Sequence, residues 1–209
     1  MTDFTENLCV ETDGSGEDWA RIYEGMLSED EIFPVEGYRV EFADGDARIW
    51  ETEQDGETIC FSIVDVIDER HLLLAYLGTR ENLRSRGIGS RHLAKLLDTL
   101  KMEYSGVDAI FVDIEDARQP GIDEEDRAHR QKRERFWRKV GGQFWEGSLL
   151  VPAMDGSDEE PTQSRLLWFQ LGDKTVDNPR LTEAITTLYE HYRVPADDPA
   201  VKASLAQIG

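Results

Sequence analysis

The sequence predicts a mixed α/β fold, and three stretches carry that prediction. Leu72-Leu73-Leu74-Ala75-Tyr76-Leu77 is an unbroken apolar run of strand length, as in a strand covered on both faces. Leu93, Leu96, Leu97 and Leu100 then recur at helical spacing, with Ala94 flanking them. A second apolar run extends from Val107 to Ile114 through Ala109, Ile110, Phe111 and Val112. Strand, helix and strand in this order make a right-handed parallel crossover.

The elements around this core follow in order. Phe4 to Val10 alternates loosely and reads as a first strand or a loose start. Asp13 to Gly16 is a turn, after which Trp19, Ala20, Tyr23 and Leu27 mark a helix over Glu17 to Leu27. A short irregular or helical region runs from Ser28 through Pro34 to Phe42. Asp44-Gly45-Asp46 turns the chain into a strand over Ala47 to Thr52. Gln54-Asp55-Gly56 then closes a hairpin onto Thr58 to Val66, and Asp68-Glu69-Arg70 leads into the apolar run. Beyond the core, a polar loop through Pro120 and Gly121 precedes a helix from about Asp123 to Val140, acidic at its start and basic thereafter, in keeping with the helix dipole. Gln143 to Pro152 and Gln163 to Leu171 read as strands joined by the acidic loop Asp155 to Pro161. Leu181, Ile185, Leu188 and Tyr189 share one face of a tail helix that Pro195 ends, and Asp197 to Ile208 adds a short last one. The division expected is one domain over residues 1–172 and a helical extension, 173–209, packed on it.

The formal net charge of −21 argues against nucleic-acid binding, where contacts to phosphate supply most of the affinity. It suits a cationic substrate, or equally a high-salt cytoplasm in which self-repulsion is screened. No apolar run approaches a membrane span and Met1 to Gly16 is polar and acidic, so a soluble cytoplasmic protein is predicted, without membrane partners. Cys9 and Cys60 read as small buried residues, and His71, His92, His129 and His191 are too scattered for a metal site. The charge is uneven: Arg80 to Lys101 holds six basic residues against two acidic, and Arg127 to Lys139 seven against one. A positive island in a negative chain suits a polyanionic cofactor.

The junction of the first strand and the central helix is where such a cofactor would sit. Arg84-Ser85-Arg86-Gly87-Ile88-Gly89-Ser90 opens the helix, whose first turn leaves backbone N–H groups unpaired at the positive end of the dipole. Gly87 and Gly89 lack a Cβ and let a phosphate approach the main chain, while Arg84 and Arg86 add charge. A P-loop would need Gly-Lys-Ser/Thr, but Gly89 is followed by Ser90 and Arg91. A dinucleotide fingerprint would need a small residue where His92 stands. The remaining pattern, R-x-x-G-x-G on Arg84, Gly87 and Gly89, resembles the acetyl-coenzyme A loop of the GNAT superfamily of N-acetyltransferases.

The resemblance covers roughly Trp19 to Leu171 and implies the GNAT fold: a mixed central sheet of six to seven strands with a splayed parallel pair, flanking helices, and here a helical tail. It implies acetyl-CoA as cosubstrate, held by Leu77, Gly78, Thr79, Arg84, Ser85, Arg86, Gly87, Ile88, Gly89 and Ser90, with the pantetheine arm paired along Tyr76 to Thr79. Phe136-Trp137-Arg138-Lys139-Val140-Gly141-Gly142 stands where the family commonly shows Phe-Tyr-x-x-Leu-Gly-Phe. The tyrosine that often protonates the departing thiolate is thus replaced by Trp137, whose indole is no acid at neutral pH. Water, or a tyrosine elsewhere such as Tyr76, would have to serve. Val151-Pro152-Ala153 and the return Leu166 to Phe169 are similar to a bacterial subgroup whose last hairpin carries a proline.

In an N-acetyltransferase of this type a carboxylate in the cleft, or a water chained to one, takes the proton of the attacking amine. Glu115 and Asp113, at the end of the second core strand and sharing one face, are the candidates, with Asp65 and Asp68 as competitors. The acceptor would be a primary amine on a small molecule or peptide, selected by loops such as Ser28 to Phe42 and Asp155 to Gln163. A homodimer through the last strands or tail is compatible with the sequence. The rival readings are a GNAT-fold module that binds acyl-coenzyme A without catalysis, and a purely structural glycine turn.

Overall fold

The computed structural model describes residues 6–26, 33–152 and 161–209. The chain divides into two compact units, Met1–Val107 and Asp108–Gly209.

In the first unit, β1 (Glu6–Thr12), β2 (Ala47–Gln54), β3 (Glu57–Val66) and β4 (Leu72–Thr79) form an antiparallel meander. The β2–β3 hairpin closes on Asp55 and Gly56, both at positive φ, which is the backbone an Asp-Gly turn favours. One face of this sheet is covered by α1 (Asp18–Glu24) and α2 (Val35–Asp44). Trp19 and Tyr23 are fully buried there with Ile49, Phe61 and Ile63, and the Trp19 indole donates to the Gly14 carbonyl at 2.9 Å. The helix expected over Glu17 to Leu27 is α1, although Leu27 lies outside the described residues, as do residues 28–32 of the region that follows.

The central helix α3 (Ile88–Glu103) buries Leu93, Leu96 and Leu100 at the predicted spacing. It also buries His92, whose ring is within 2.8 Å of Thr52 Oγ1 on β2 and 2.9 Å of Ser62 Oγ on β3. Ile88 packs with Ile59 and Cys60 of β3 and with Leu77 and Leu83, seating the first turn of α3 on the sheet. Cys9 and Cys60 are buried, and burial pushes both thiols up to about 12, so they stay protonated.

In the second unit, β8 (Thr162–Gln170) pairs antiparallel with β5 (Ala109–Glu115), β6 (Gln143–Phe144) and β7 (Leu149–Val151). The strand predicted over Gln143 to Pro152 is thus two short pieces, which makes eight described strands rather than six to seven. The break lies at Trp145 to Ser148, where the Trp145 ring stands where a Cβ on Gly147 would be. Arg118, doubly bonded to the buried Asp116, also donates to the carbonyls of Glu146 and Gly147 and holds this turn open. Helix α4 (Glu124–Lys139) is capped by Asp123, which accepts from the Asp126 amide. The tail forms α5 (Asn178–His191) and α6 (Pro199–Leu205). Tyr189 of α5 donates to the Leu150 carbonyl and meets Ser204 of α6 at 2.7 Å, tying both helices to β7. Of the acidic loop predicted over Asp155 to Pro161, all but Pro161 lies outside the described residues.

Candidate functional site

The loop from β4 into α3 is pinned by apolar side chains on both sides. Leu83 closes a 3-10 turn (Glu81–Leu83) and packs toward Ile59 and Cys60, as Ile88 does from the other side. Arg84 to Gly87 therefore arches between two apolar anchors. Ser85 and Gly87 have φ of 64° and 78°, and Gly87 is the residue immediately before the helix. Such an angle is unstrained only for glycine, and a Cβ added at Gly87 would project into open space, its nearest neighbour being Arg91 Nη1 at 4.0 Å.

That open space lies at the head of α3. The first intrahelical bond runs from the Arg91 amide to the Gly87 carbonyl, so the amides of Ile88, Gly89 and Ser90 precede the helical ladder. Gly87 offers no side-chain cap and the first turn contains no acidic residue. Arg84 spends its Nε on the Thr79 carbonyl at 3.2 Å, and Arg86 makes no hydrogen bond or ion pair among the described residues. Unused amides and a positive dipole end, with Arg84 and Arg86 on the same loop, are what holding a diphosphate would require. The residues predicted to bind the cofactor from Arg84 to Ser90 are contiguous in this arch, and the donor set fits the group.

The strand leading to it is also shaped. β4 carries a bulge at Ala75, since Ile63 pairs with Tyr76 but Val64 with Leu74. Beyond the bulge, Leu77, Gly78 and Thr79 pair with Ser62, Phe61 and Cys60. Gly78 is required by its neighbours: a Cβ there would lie 2.3 Å from Phe61 Cε1 and 2.6 Å from Met26 Sδ. Tyr76 is half-buried on the α1 face, 4.8 Å from the Tyr23 ring and 5.8 Å from Tyr38. Burial drives the hydroxyls of Tyr23 and Tyr38 far above their usual range, so both remain neutral.

Glu115 and Asp113 belong to the second unit. Glu115 Oε1 is 3.1 Å from Arg130 Nη2 and Oε2 is 2.6 Å from Arg133 Nη1, so each oxygen faces a guanidinium of α4. Asp113 accepts from the Tyr192 hydroxyl at 3.0 Å. Trp137 is buried, 5.1 Å from the Phe136 ring and 6.0 Å from Phe169. Of the competing carboxylates, Asp65 is buried on β3, while Asp68 caps a turn by accepting from the His71 amide and ring.

Sequence reasoning placed no residue of α1 near the loop, yet the structure does. A cavity of about 400 Å³ in the first unit is walled by α1 on one side and by Arg80, Glu81 and Arg84 on the other. Charged residues on a short exposed helix carry no signal that separates them from solvated surface. Among the described residues no group of three or more His, Cys, Asp or Glu could hold a metal, and no helix is long and apolar enough to cross a membrane.

The sequence model described as the Acetyltransferase (GNAT) family matches residues 17–123 of this chain. No curated protein matches it in sequence. A solved GNAT-family protein from Bacteroides thetaiotaomicron is 20% identical with a TM-score of 0.61, covering 84% of this chain and 90% of its own. A GNAT family acetyltransferase from Elizabethkingia anophelis, with acetyl-CoA bound, is 11% identical with a TM-score of 0.56 over 82% of this chain and 100% of its own. An aminoglycoside 6'-N-acetyltransferase complexed with coenzyme A is 13% identical with a TM-score of 0.60 over 81% and 99%. At these identities the likeness is one of fold.

Proposed function

The chain belongs to the GNAT family of acetyltransferases, and on that footing we propose that it transfers the acetyl group of acetyl-CoA to a primary amine. The observation that carries this reading is the head of α3. There an acid-free first turn, an uncapped Gly87 at positive φ and the guanidinium groups of Arg84 and Arg86 form an anion cradle. Acetyl-CoA supplies an activated acetyl thioester. The chain's part is to hold the diphosphate on the amides of Ile88 to Ser90 and to align the arm along Leu77 to Thr79.

The transfer breaks the acyl C–S bond and forms a C–N bond, so the amine loses a proton and the thiolate gains one. We assign the first proton to Glu115, with Asp113 beside it on the same face of β5. Arg130 and Arg133 fix the Glu115 carboxylate in place at 3.1 and 2.6 Å. The thiolate is protonated by water or by Tyr76, since Trp137 has no acidic proton to give.

Thiol release from acetyl-CoA, followed with a panel of primary amines while coenzyme A binding is measured in parallel, tests the reading. Turnover with at least one amine supports it; tight binding without turnover across the panel would replace it with a non-catalytic acyl-coenzyme A module. For the base, Glu115→Gln should lower kcat at least tenfold. Undiminished turnover across pH would remove Glu115 from the mechanism.

A further inference from the structure

We propose that the Tyr76 hydroxyl holds the acceptor amine by receiving one of its N–H groups, instead of protonating the departing thiolate, and that Tyr23 fixes it in that role. The proposal rests on the transferase reading and narrows it: of the two proton sources open to the thiolate, water is left. Tyr76 directly precedes Leu77 to Thr79, the stretch of β4 along which the arm is aligned. It is also the half-buried member of a cluster whose other tyrosines, Tyr23 and Tyr38, are buried.

A phenol carries a single proton, so the direction of each bond in this cluster can be counted. Tyr23 donates its own to the Phe33 carbonyl at 2.9 Å. Tyr23 and Tyr76 also share a hydrogen bond, their rings 4.8 Å apart and nearly perpendicular at 88°. With the Tyr23 proton committed to Phe33, the hydrogen of that second bond comes from Tyr76. The Tyr76 oxygen then has only lone pairs to offer a substrate, and a substrate must bring the donor. Polarisation along the chain from Tyr76 through Tyr23 to the Phe33 carbonyl strengthens it as an acceptor. Asp65, buried on β3, acts with its negative charge on both Tyr23 and Tyr38, and that field also favours an N–H over an electron-rich group.

A thiolate needs the opposite arrangement. To serve it, Tyr76 would have to withdraw its proton from Tyr23 and end as a phenolate whose neighbouring phenol has its own proton turned away. A neutral amine presents N–H groups while its lone pair attacks the thioester carbon, so an acceptor on one N–H holds it without taking part in the proton transfer. The proton the amine gives up still passes to the carboxylate assigned above, and both tyrosines begin and end the reaction protonated. Such a contact is made alike in the ground and transition states, so it belongs in KM for the amine rather than in kcat.

The direction of the bonds is read first, without substrate, from urea unfolding of the whole chain. Tyr23→Phe removes both the donor to the Phe33 carbonyl and the acceptor of the Tyr76 proton, whereas Tyr76→Phe leaves the Phe33 bond in place, so Tyr23→Phe should lower the midpoint more. Kinetics follow with an amine that the wild type acetylates. Tyr76→Phe should raise KM for that amine about fivefold, with kcat within about threefold and coenzyme A affinity unchanged. Tyr23→Phe should raise the same KM about twofold, and the double variant no further than Tyr76→Phe alone, because Tyr23 acts through Tyr76. A tenfold fall in kcat at unchanged amine KM would make Tyr76 the acid and overturn the proposal while leaving the transferase reading intact. An unchanged KM in Tyr76→Phe, additive effects in the double variant, or a midpoint lowered more by Tyr76→Phe would overturn it in the same way. Failure of the wild type to acetylate any amine would overturn both.

Discussion

His92 gives a prediction about how α3, and with it the helix head, is fixed to the sheet. Its imidazole is fully buried between β2, β3 and α3, bonded to Thr52 and Ser62, and burial lowers its pKa from the ordinary 6.5 to about 4. The folded protein therefore refuses a proton that the unfolded chain accepts. Because the folded value lies below the unfolded one, this contribution is complete above pH 6.5 and is lost as pH falls toward 4. At about 1.36 kcal/mol per pH unit, stability drops by about 2 kcal/mol by pH 5 and by roughly 3 kcal/mol in full. The perturbation is acidification from pH 7 to pH 5, applied to the wild type and to His92→Gln, which keeps a donor and an acceptor but does not titrate. Urea unfolding at each pH reports the difference through tryptophan emission, Trp19 and Trp50 being fully buried in the same unit. The carboxylates Asp68 and Asp116, whose pKa values are lowered by hydrogen bonds that outweigh their desolvation, lose stability in acid in both proteins and cancel. The wild type should lose about 2 kcal/mol more than the variant between pH 7 and pH 5. Parallel losses would refute the assignment of a buried neutral imidazole.

Two further perturbations separate packing from chemistry. Gly78→Ala would place a methyl 2.3 Å from the ring of the fully buried Phe61, and should cost about 1–3 kcal/mol in urea unfolding; an unchanged midpoint would mean the strand yields freely. Trp137→Phe should lower stability by about 1–3 kcal/mol while kcat measured well below the melting temperature stays within about twofold, since the indole packs on Phe169 and supplies no proton. A tenfold fall in kcat would make it part of the chemistry.

The parts of this fold that could be read in advance are those whose signal is local. The apolar run of β4, the heptad-like leucines of α3 and the Asp55-Gly56 turn each depend on neighbours a few residues away, and each is where the sequence puts it. The arch from Arg84 to Ser90 was legible for the same reason, since the helix head and its glycines are consecutive. His92 was not. Its partners are 30 and 40 residues distant, and nothing in helical periodicity distinguishes a buried polar position from a surface one. The split of Gln143 to Pro152 escaped because it depends on Arg118 reaching across about thirty residues to the turn carbonyls. Arg21 and Asp18 of α1 read as surface charge, and only the tertiary packing of that helix turns them toward a cavity.

The central claim is that the bare amides at the head of α3 grip a diphosphate. Titrating the wild type and Gly87→Val with coenzyme A and with pantetheine, which shares the arm but lacks the diphosphate, tests it most directly. Valine would occupy the space before the helix and strain a backbone held at φ 78°. Coenzyme A should bind the variant at least tenfold more weakly while pantetheine binds both proteins alike. Unchanged affinity for coenzyme A, or an equal loss for both ligands, would contradict the account.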